Sequence, residues 1–328
     1  MAICWYCEKE IEEFAYKIAR HPCDLDCADR EIERSRGILA RLLAEVDSFV
    51  GFGLGFDIPE FFWYIFVENE ETGLALKDEF SSAQMGFSIY PLVTSIPKIS
   101  TPDPIKASPE NVVPGGVSIG HMNSRTAGTI GGILTMGDRK YVVSTSQILA
   151  PDGANIGDVI VQPSVLDSPE RGYALAKLSV ISRLAPGSVN DLDAAVGTLN
   201  TVVPSTPRIK YLGRPSGTAD PRIGMNVRKT GRTSGFTEGR VLCIDAKMKL
   251  IRDNHLLFIQ DQFIAMSEDS VFAENGDEGA FLLDNDNAFV GMIEIVFHGM
   301  AICARGAVLL ERFGFEEPDC FEPGEEGL

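Results

Sequence analysis

Histidine is scarce in this chain of 328 residues, which has four: His21, His121, His255 and His298. Chemistry that needs a proton acceptor near neutral pH, the usual task of an imidazole, therefore has few places to sit. Positive charge is also short, with 29 Lys and Arg against 47 Asp and Glu and a formal net charge of −18. Nucleic-acid binding gains from neutralising phosphates with Lys and Arg, so a polynucleotide is an unfavourable partner. An anionic membrane surface is disfavoured for the same reason. No stretch approaches the ~20 apolar residues that span a bilayer. The opening residues, Met1-Ala2-Ile3-Cys4-Trp5-Tyr6-Cys7, run into Glu8-Lys9-Glu10 without the basic start and apolar centre of a secretory signal. The expected location is the cytoplasm. Seven cysteines, an odd number, fit a reducing compartment better than a disulfide framework.

With 45% hydrophobic residues the chain is ordinary globular material, long enough for two or three domains. Residues 1–36 form a Cys-rich head with a helix. Its Cys4-x2-Cys7 and Cys23-x3-Cys27 pairs, with His21 as an alternative ligand, have a spacing that can close one structural zinc site. The competing reading is an amphipathic helix, Glu8 to Ala19, carrying incidental thiols. From Asp29 to Val46 the apolar residues recur with helical period. Residues 37–96 continue as a small α/β module: a period-two run from Ser48 to Phe56, a dense apolar run from Phe61 to Val67, a short helix near Leu74 to Glu79 and a strand near Met85 to Val93. Gly51, Gly53 and Gly55 fall within a strand, so they do not make a dinucleotide loop.

Residues 97–115 carry five prolines and read as an extended linker and as the expected place for proteolytic cleavage. After Gly116 many short apolar runs alternate with Gly, Pro, Asn and Asp clusters, a mainly β pattern. The last residues, 316–328, are an acidic tail with five glutamates, expected to be mobile and solvated.

Four segments of the β region carry chemistry. A hairpin from Ala127 to Leu134 and from Tyr141 to Ala150 ends in Ser144-Thr145-Ser146-Gln147-Ile148-Leu149-Ala150. Next comes Asn190-Asp191-Leu192-Asp193-Ala194-Ala195-Val196. A third segment runs from Gly224 to Val241 and contains Lys229-Thr230-Gly231-Arg232-Thr233-Ser234-Gly235. The fourth is Gly276-Asp277-Glu278-Gly279, flanked by strand-like runs. In this order the segments resemble those of trypsin-like serine proteases over residues 116–315. That resemblance implies a fold of two six-stranded antiparallel β-barrels. It also implies a position for each member of a catalytic triad: Gln147 for the histidine, Asp193 for the aspartate and Glu278 for the serine. The head and α/β module are similar, more loosely, to the extension that precedes the barrels in a group of bacterial and plant members.

Two of those substitutions remove the chemistry. Gln147 cannot titrate, and Glu278 is a weak nucleophile whose anhydride would collapse backwards. Loss of a triad member usually lowers turnover by about 10⁴-fold to 10⁶-fold, and two are absent. Cys243 and Cys303 lie in apolar strands as small hydrophobes. The expectation is an inactive pseudoprotease with no functional catalytic residue. It binds a protein partner as a regulator, an adaptor or a cleavable substrate, with an active protease among the candidate partners, and a bacterial stress or defence system is the expected setting. Two alternatives stand beside it. One is a hydrolase in which Asp193 and Glu278 act as a carboxylate pair, the other an adaptor that binds through its head and α/β module.

The resemblance also supplies geometric expectations. Asp193 needs a donor in place of the imidazole, and the Gln147 amide is expected to provide it. The backbone amides of Gly276 and Glu278 are the former oxyanion hole, and the Glu278 carboxylate is expected to fold toward them. Phe272, six residues before Glu278, is expected on the floor of the specificity pocket, with Glu294 to Val296 beside it as the strand that pairs with substrate backbone. A core role for Phe272 is the equal alternative.

Overall fold

The computed structural model describes residues 25–57, 60–82, 87–105, 107–170, 172–188 and 190–318. Cys4, Cys7, His21 and Cys23 lie outside these residues, as does the acidic tail beyond Pro318. Cys27 falls in the first described helix, Leu25–Glu45. Among the described residues no group of three or more His, Cys, Asp and Glu is arranged to hold a metal ion. No helix there is long and apolar enough to cross a membrane.

Two antiparallel rings make up the body. In the first, the strands Ser118–His121, Val159–Gln162, Tyr173–Ser182, Ala194–Leu199 and Arg139–Ser144 pair in that order. The ring closes through a bent sixth strand, formed by Gly128–Thr129 and Gly132–Met136, which pairs with Ser118–His121 at one end and Arg139–Ser144 at the other. The change of partner falls between adjacent residues: the Ile130 amide donates to Val117 O (2.9 Å) and the Gly131 amide to Val143 O (2.9 Å). Alternation along these strands points Ile119, Val142, Ile160, Leu175 and Leu178 inward, where they are almost wholly buried.

The second ring runs Asn226–Gly231, Phe281–Leu283, Phe289–Phe297, Met300–Arg305, His255–Met266 and Gly235–Arg252. The last strand closes it by pairing with Asn226–Gly231 at every residue of that strand. Phe289–Phe297 is buried along its whole length, as expected of a strand covered on both faces. One face meets the first barrel: Leu134, Val143 and Val196 share an apolar cluster with Phe281, Phe289 and Met292. The barrels therefore form one body.

The α/β module does not stand apart from them. Gly235–Arg252 and His255–Met266 form a hairpin too long for the barrel, turning at Asp253 and Asn254, both at positive φ (49° and 62°) as a two-residue hairpin turn requires. Phe49–Asp57 pairs with the projecting part of Gly235–Arg252, followed by Glu60–Val67 and Ser88–Val93, so nine strands form one continuous sheet. The contact is close enough that a Cβ on Gly51 would lie 2.2 Å from the Met248 sulfur. Leu25–Glu45 and a second helix, Glu70–Ser82, add Leu39, Leu43, Leu76 and Phe80 to the cluster holding Phe52 and Trp63. The Trp63 indole donates to Ser35 Oγ (2.9 Å), satisfying its one polar group.

Candidate functional site at the barrel interface

The loop Glu274–Gly279 leads into Phe281–Leu283. Gly276 and Gly279 have φ of 101° and 95°, a region that favours glycine and lets the chain double back within four residues. The loop is held from three sides. Thr129 of the first barrel donates to the loop twice: its hydroxyl to Gly276 O (2.8 Å) and its amide to Glu278 O (2.9 Å). The Gly279 amide donates to Ile293 O (2.8 Å).

The third side is Asp277. Its carboxylate is fully buried and pairs with Lys229 Nζ (2.8 Å), which is also fully buried. It further accepts from the amides of Thr233 (2.9 Å), Ser234 (3.1 Å) and Glu274 (3.0 Å) and from Ser234 Oγ (2.6 Å). Burial pushes the Lys229 ammonium below its usual range, and Asp277 opposes that shift. Lys229, Thr233 and Ser234 belong to the third sequence segment. That segment thus acts as a clamp on the fourth.

Glu278, one residue on, has none of this support. Its carboxylate turns back on its own loop and accepts the Gly276 amide at 2.6 Å. Burial pushes this carboxyl up to about 7, against hydrogen bonds from the amides of Glu278 and Gly276. Those amides are the pair assigned above to the oxyanion hole. A carboxylate of the protein lies where they would otherwise face an empty site.

Asp193 is fully buried and has a different donor from the one expected. Ser146 Oγ donates to Asp193 Oδ1. The expected bond from Gln147 is not formed: Gln147 Nε2 turns outward to Ser100 O (3.3 Å). The reason is reach. Ser146 opens the short helix Ser146–Leu149 and is wholly buried, whereas Gln147 beside it is only half-buried and faces the cleft.

Glu294 lies with Val296 on the strand Phe289–Phe297. It is buried beside Asp193 and accepts the Asp193 amide through Oε1 (2.7 Å). Burial raises both carboxyls, Glu294 well above its usual range with Asp193 as a second cause. Among the described residues Asp193 Oδ2 and Glu294 Oε2 have no hydrogen-bond partner. Two acids from different barrels thus meet in an apolar seam, where the low dielectric favours their protonated forms.

Among the described residues no hydrogen bond joins Asp193 to Glu278; each is bonded to different groups. Phe272 is fully buried in the core of the second barrel. A cavity of about 740 Å³ opens beside it, lined by Val296 together with Ala273, Asn275 and His298. His121 is buried and its ring is satisfied locally, by Asp158 Oδ2 (3.2 Å) and the Asn123 amide (3.2 Å).

The segment from Pro97 onward crosses this face. Pro97 O accepts the Ile251 amide (2.9 Å), and the Ile99 amide donates to Ile251 O (3.0 Å). Farther on, Arg232 donates to Asp103 O (2.8 Å), and the Ile105 amide donates to Asp167 Oδ1 (3.0 Å). Arg232 and Asp167 are themselves a fully buried ion pair. Between these anchors Ser100 bridges the barrels. Its carbonyl accepts from Gln147, and its hydroxyl accepts from Asn275 Nδ2 (3.0 Å). Ser146 and Ser100 are the site residues that sequence reasoning missed. Three hydroxyls precede Gln147, with nothing in their order to single one out, and Ser100 lies outside every motif.

The ring closures define the class: a mainly β chain built on a double six-stranded antiparallel barrel. Solved structures of serine proteases are similar to it. Thermobifida fusca protease A matches with a TM-score of 0.47 and 15% identity, covering 63% of this chain and 99% of that one. A glutamic acid specific serine protease matches with a TM-score of 0.47 and 16% identity over 63% of this chain and 100% of its own. Cellulomonas bogoriensis chymotrypsin matches with a TM-score of 0.45 and 16% identity over 62% and 97%. No family model and no curated protein matches the sequence.

Proposed function

We propose that this chain is a catalytically inactive, protease-like protein that binds a protein partner on the face between its barrels. The observation that carries the reading is the hydrogen bond from the Gly276 amide to Glu278 Oε2. An acyl-transfer site needs that amide free for a developing oxyanion and a nucleophile beside it, and here one carboxylate takes both places. Gln147 offers no titratable group, and Asp193 is engaged by Ser146. The net charge of −18 favours protein over polynucleotide as the partner. The role in that complex is regulation of an active protease, adaptation between proteins, or service as a protease substrate.

The test has two arms. Purified protein is incubated with casein, with a peptide library and with a serine-reactive phosphonate, and no turnover or labelling is expected. Affinity purification of the intact chain from its host, followed by mass spectrometry, is expected to recover a stoichiometric protein partner. Amide cleavage that persists through purification and disappears in Glu278→Ala would overturn the inactive reading. It would favour instead a carboxylate-based hydrolase.

A further inference from the structure

Residues 97–105 were expected to be a spacer. In the fold they pass through the groove between the barrels, at the positions that would carry the histidine and the loop before the serine. We propose that this segment is a built-in occupant of the cleft, a strap that withholds the face in the intact chain and exposes it when displaced. The proposal rests on the reading of that face as a docking surface.

The strap's construction is uneven, which is what a displaceable element requires. Its two ends are tied by main-chain hydrogen bonds to Ile251 and by the buried Arg232–Asp167 pair. Pro97 and Pro102 are buried, and each has a preset φ that lowers the entropy lost in holding an extended segment. The middle is held differently. Ser100 and Thr101 are exposed, and the crossing of the cleft itself relies on the bonds of Ser100 to Gln147 and Asn275. Exposed hydrogen bonds of this kind compete with water and contribute little net stability. Thr101 and Asp103 line the same cavity as Asn275, Val296 and His298, so the segment borders a space that it does not fill. At the near end Ser95 bonds to His298 Nε2 through its hydroxyl (3.1 Å). This gives the strap a contact on the same wall of the second barrel.

The experiment uses the full chain carrying Gln147→Cys, which removes the bond to Ser100 in every chain compared, so the comparison reads the strap's remaining anchors. Alkylation at residue 147 is followed by peptide mass spectrometry, with the natural strap and with residues 98–105 replaced by Gly and Ser at equal length. Cys243 and Cys303 are fully buried and report unfolding in the same sample. Loss of the strap is expected to speed labelling at 147 by about tenfold, the change produced when local opening becomes easier by one modest set of contacts, with Cys243 and Cys303 still protected. An unchanged rate at 147 overturns the proposal. Should the replaced chain label at the buried cysteines, Pro102→Gly combined with Asn275→Ala supplies the same comparison, and an accelerated or unchanged rate decides it in the same way. Partner recovery from the two chains tests the docking reading separately. Faster labelling with equal partner recovery leaves the strap standing and moves the docking surface elsewhere.

Discussion

Asp277 and Glu278 are neighbours in one loop, both buried, and their surroundings are opposite. Asp277 has a buried cation and four further donors, three of them from Thr233 and Ser234 and one from Glu274 of the loop itself. Glu278 is tied to amides of its own turn, and its carboxyl is pushed up to about 7. Asp193 and Glu294 share with Glu278 a carboxyl raised by burial, and each of the two has an oxygen without a partner among the described residues. The difference separates scaffold from site. Groups that hold the loop in shape are fully satisfied, while the carboxyls of the candidate site are raised by burial.

The sharpest way to break this contrast is to remove the clamp. Asp277→Ala leaves the Lys229 ammonium buried without a counter-charge, which typically costs about 3–5 kcal/mol. Urea denaturation should show that loss. Asp277→Ala combined with Lys229→Met should recover part of it, because removing both charges avoids leaving one unpaired. If the single and double variants unfold at the same urea concentration, the pair is not the clamp described here.

Glu278 predicts the opposite sign. Its folded carboxyl titrates near 7, above the usual 4.5. The native state therefore binds the proton more tightly than the unfolded chain. Its contribution is fully present below pH 4.5 and is lost as pH rises through about 7. Glu278→Gln keeps the acceptor for Gly276 and removes the ionisation. It should match the parent near pH 4 and exceed it at pH 8–9 by on the order of 3 kcal/mol, the equivalent of the shift. Denaturation at the two pH values checks this. A variant that is equally or less stable at pH 9 would mean that solvent reaches the carboxylate.

Much of the fold was legible because it is repeated locally. The Phe49–Asp57 and Glu60–Val67 strands follow from period-two and dense apolar runs, and the helix over Leu25–Glu45 from its spacing. The ring order followed from a resemblance in four separate segments. The continuous nine-stranded sheet was not legible, because it depends on where the overlong Gly235–Arg252 strand projects, and strand length beyond a barrel leaves no mark in periodicity. The Pro-rich stretch misled for a related reason. Its composition reports an extended backbone correctly, but its anchors are Ile251, Arg232 and Asp167, distant in sequence. In the site, the residue types at 147, 193 and 278 could be read directly. The partner of Asp193 could not, because Ser146 and Gln147 differ by one position and only the start of a four-residue helix decides which turns inward.

That last difference yields the finest comparison. Ser146 donates to a buried carboxyl that burial has raised, and it opposes that rise. Ser146→Ala removes the donor and leaves Asp193 with a second unsatisfied oxygen, a change worth about 1–3 kcal/mol. Its cost should be smaller in acid, where Asp193 is protonated, and grow as pH rises through the raised folded value, because the hydroxyl favours the ionised form. Gln147→Ala, one residue away, should cost less than about 0.5 kcal/mol, since its amide reaches only the strap at a half-exposed position. Denaturation of both variants at pH 5 and pH 8 separates the roles. A pH-dependent loss in Gln147→Ala, with none in Ser146→Ala, would restore glutamine as the substitute for the missing imidazole.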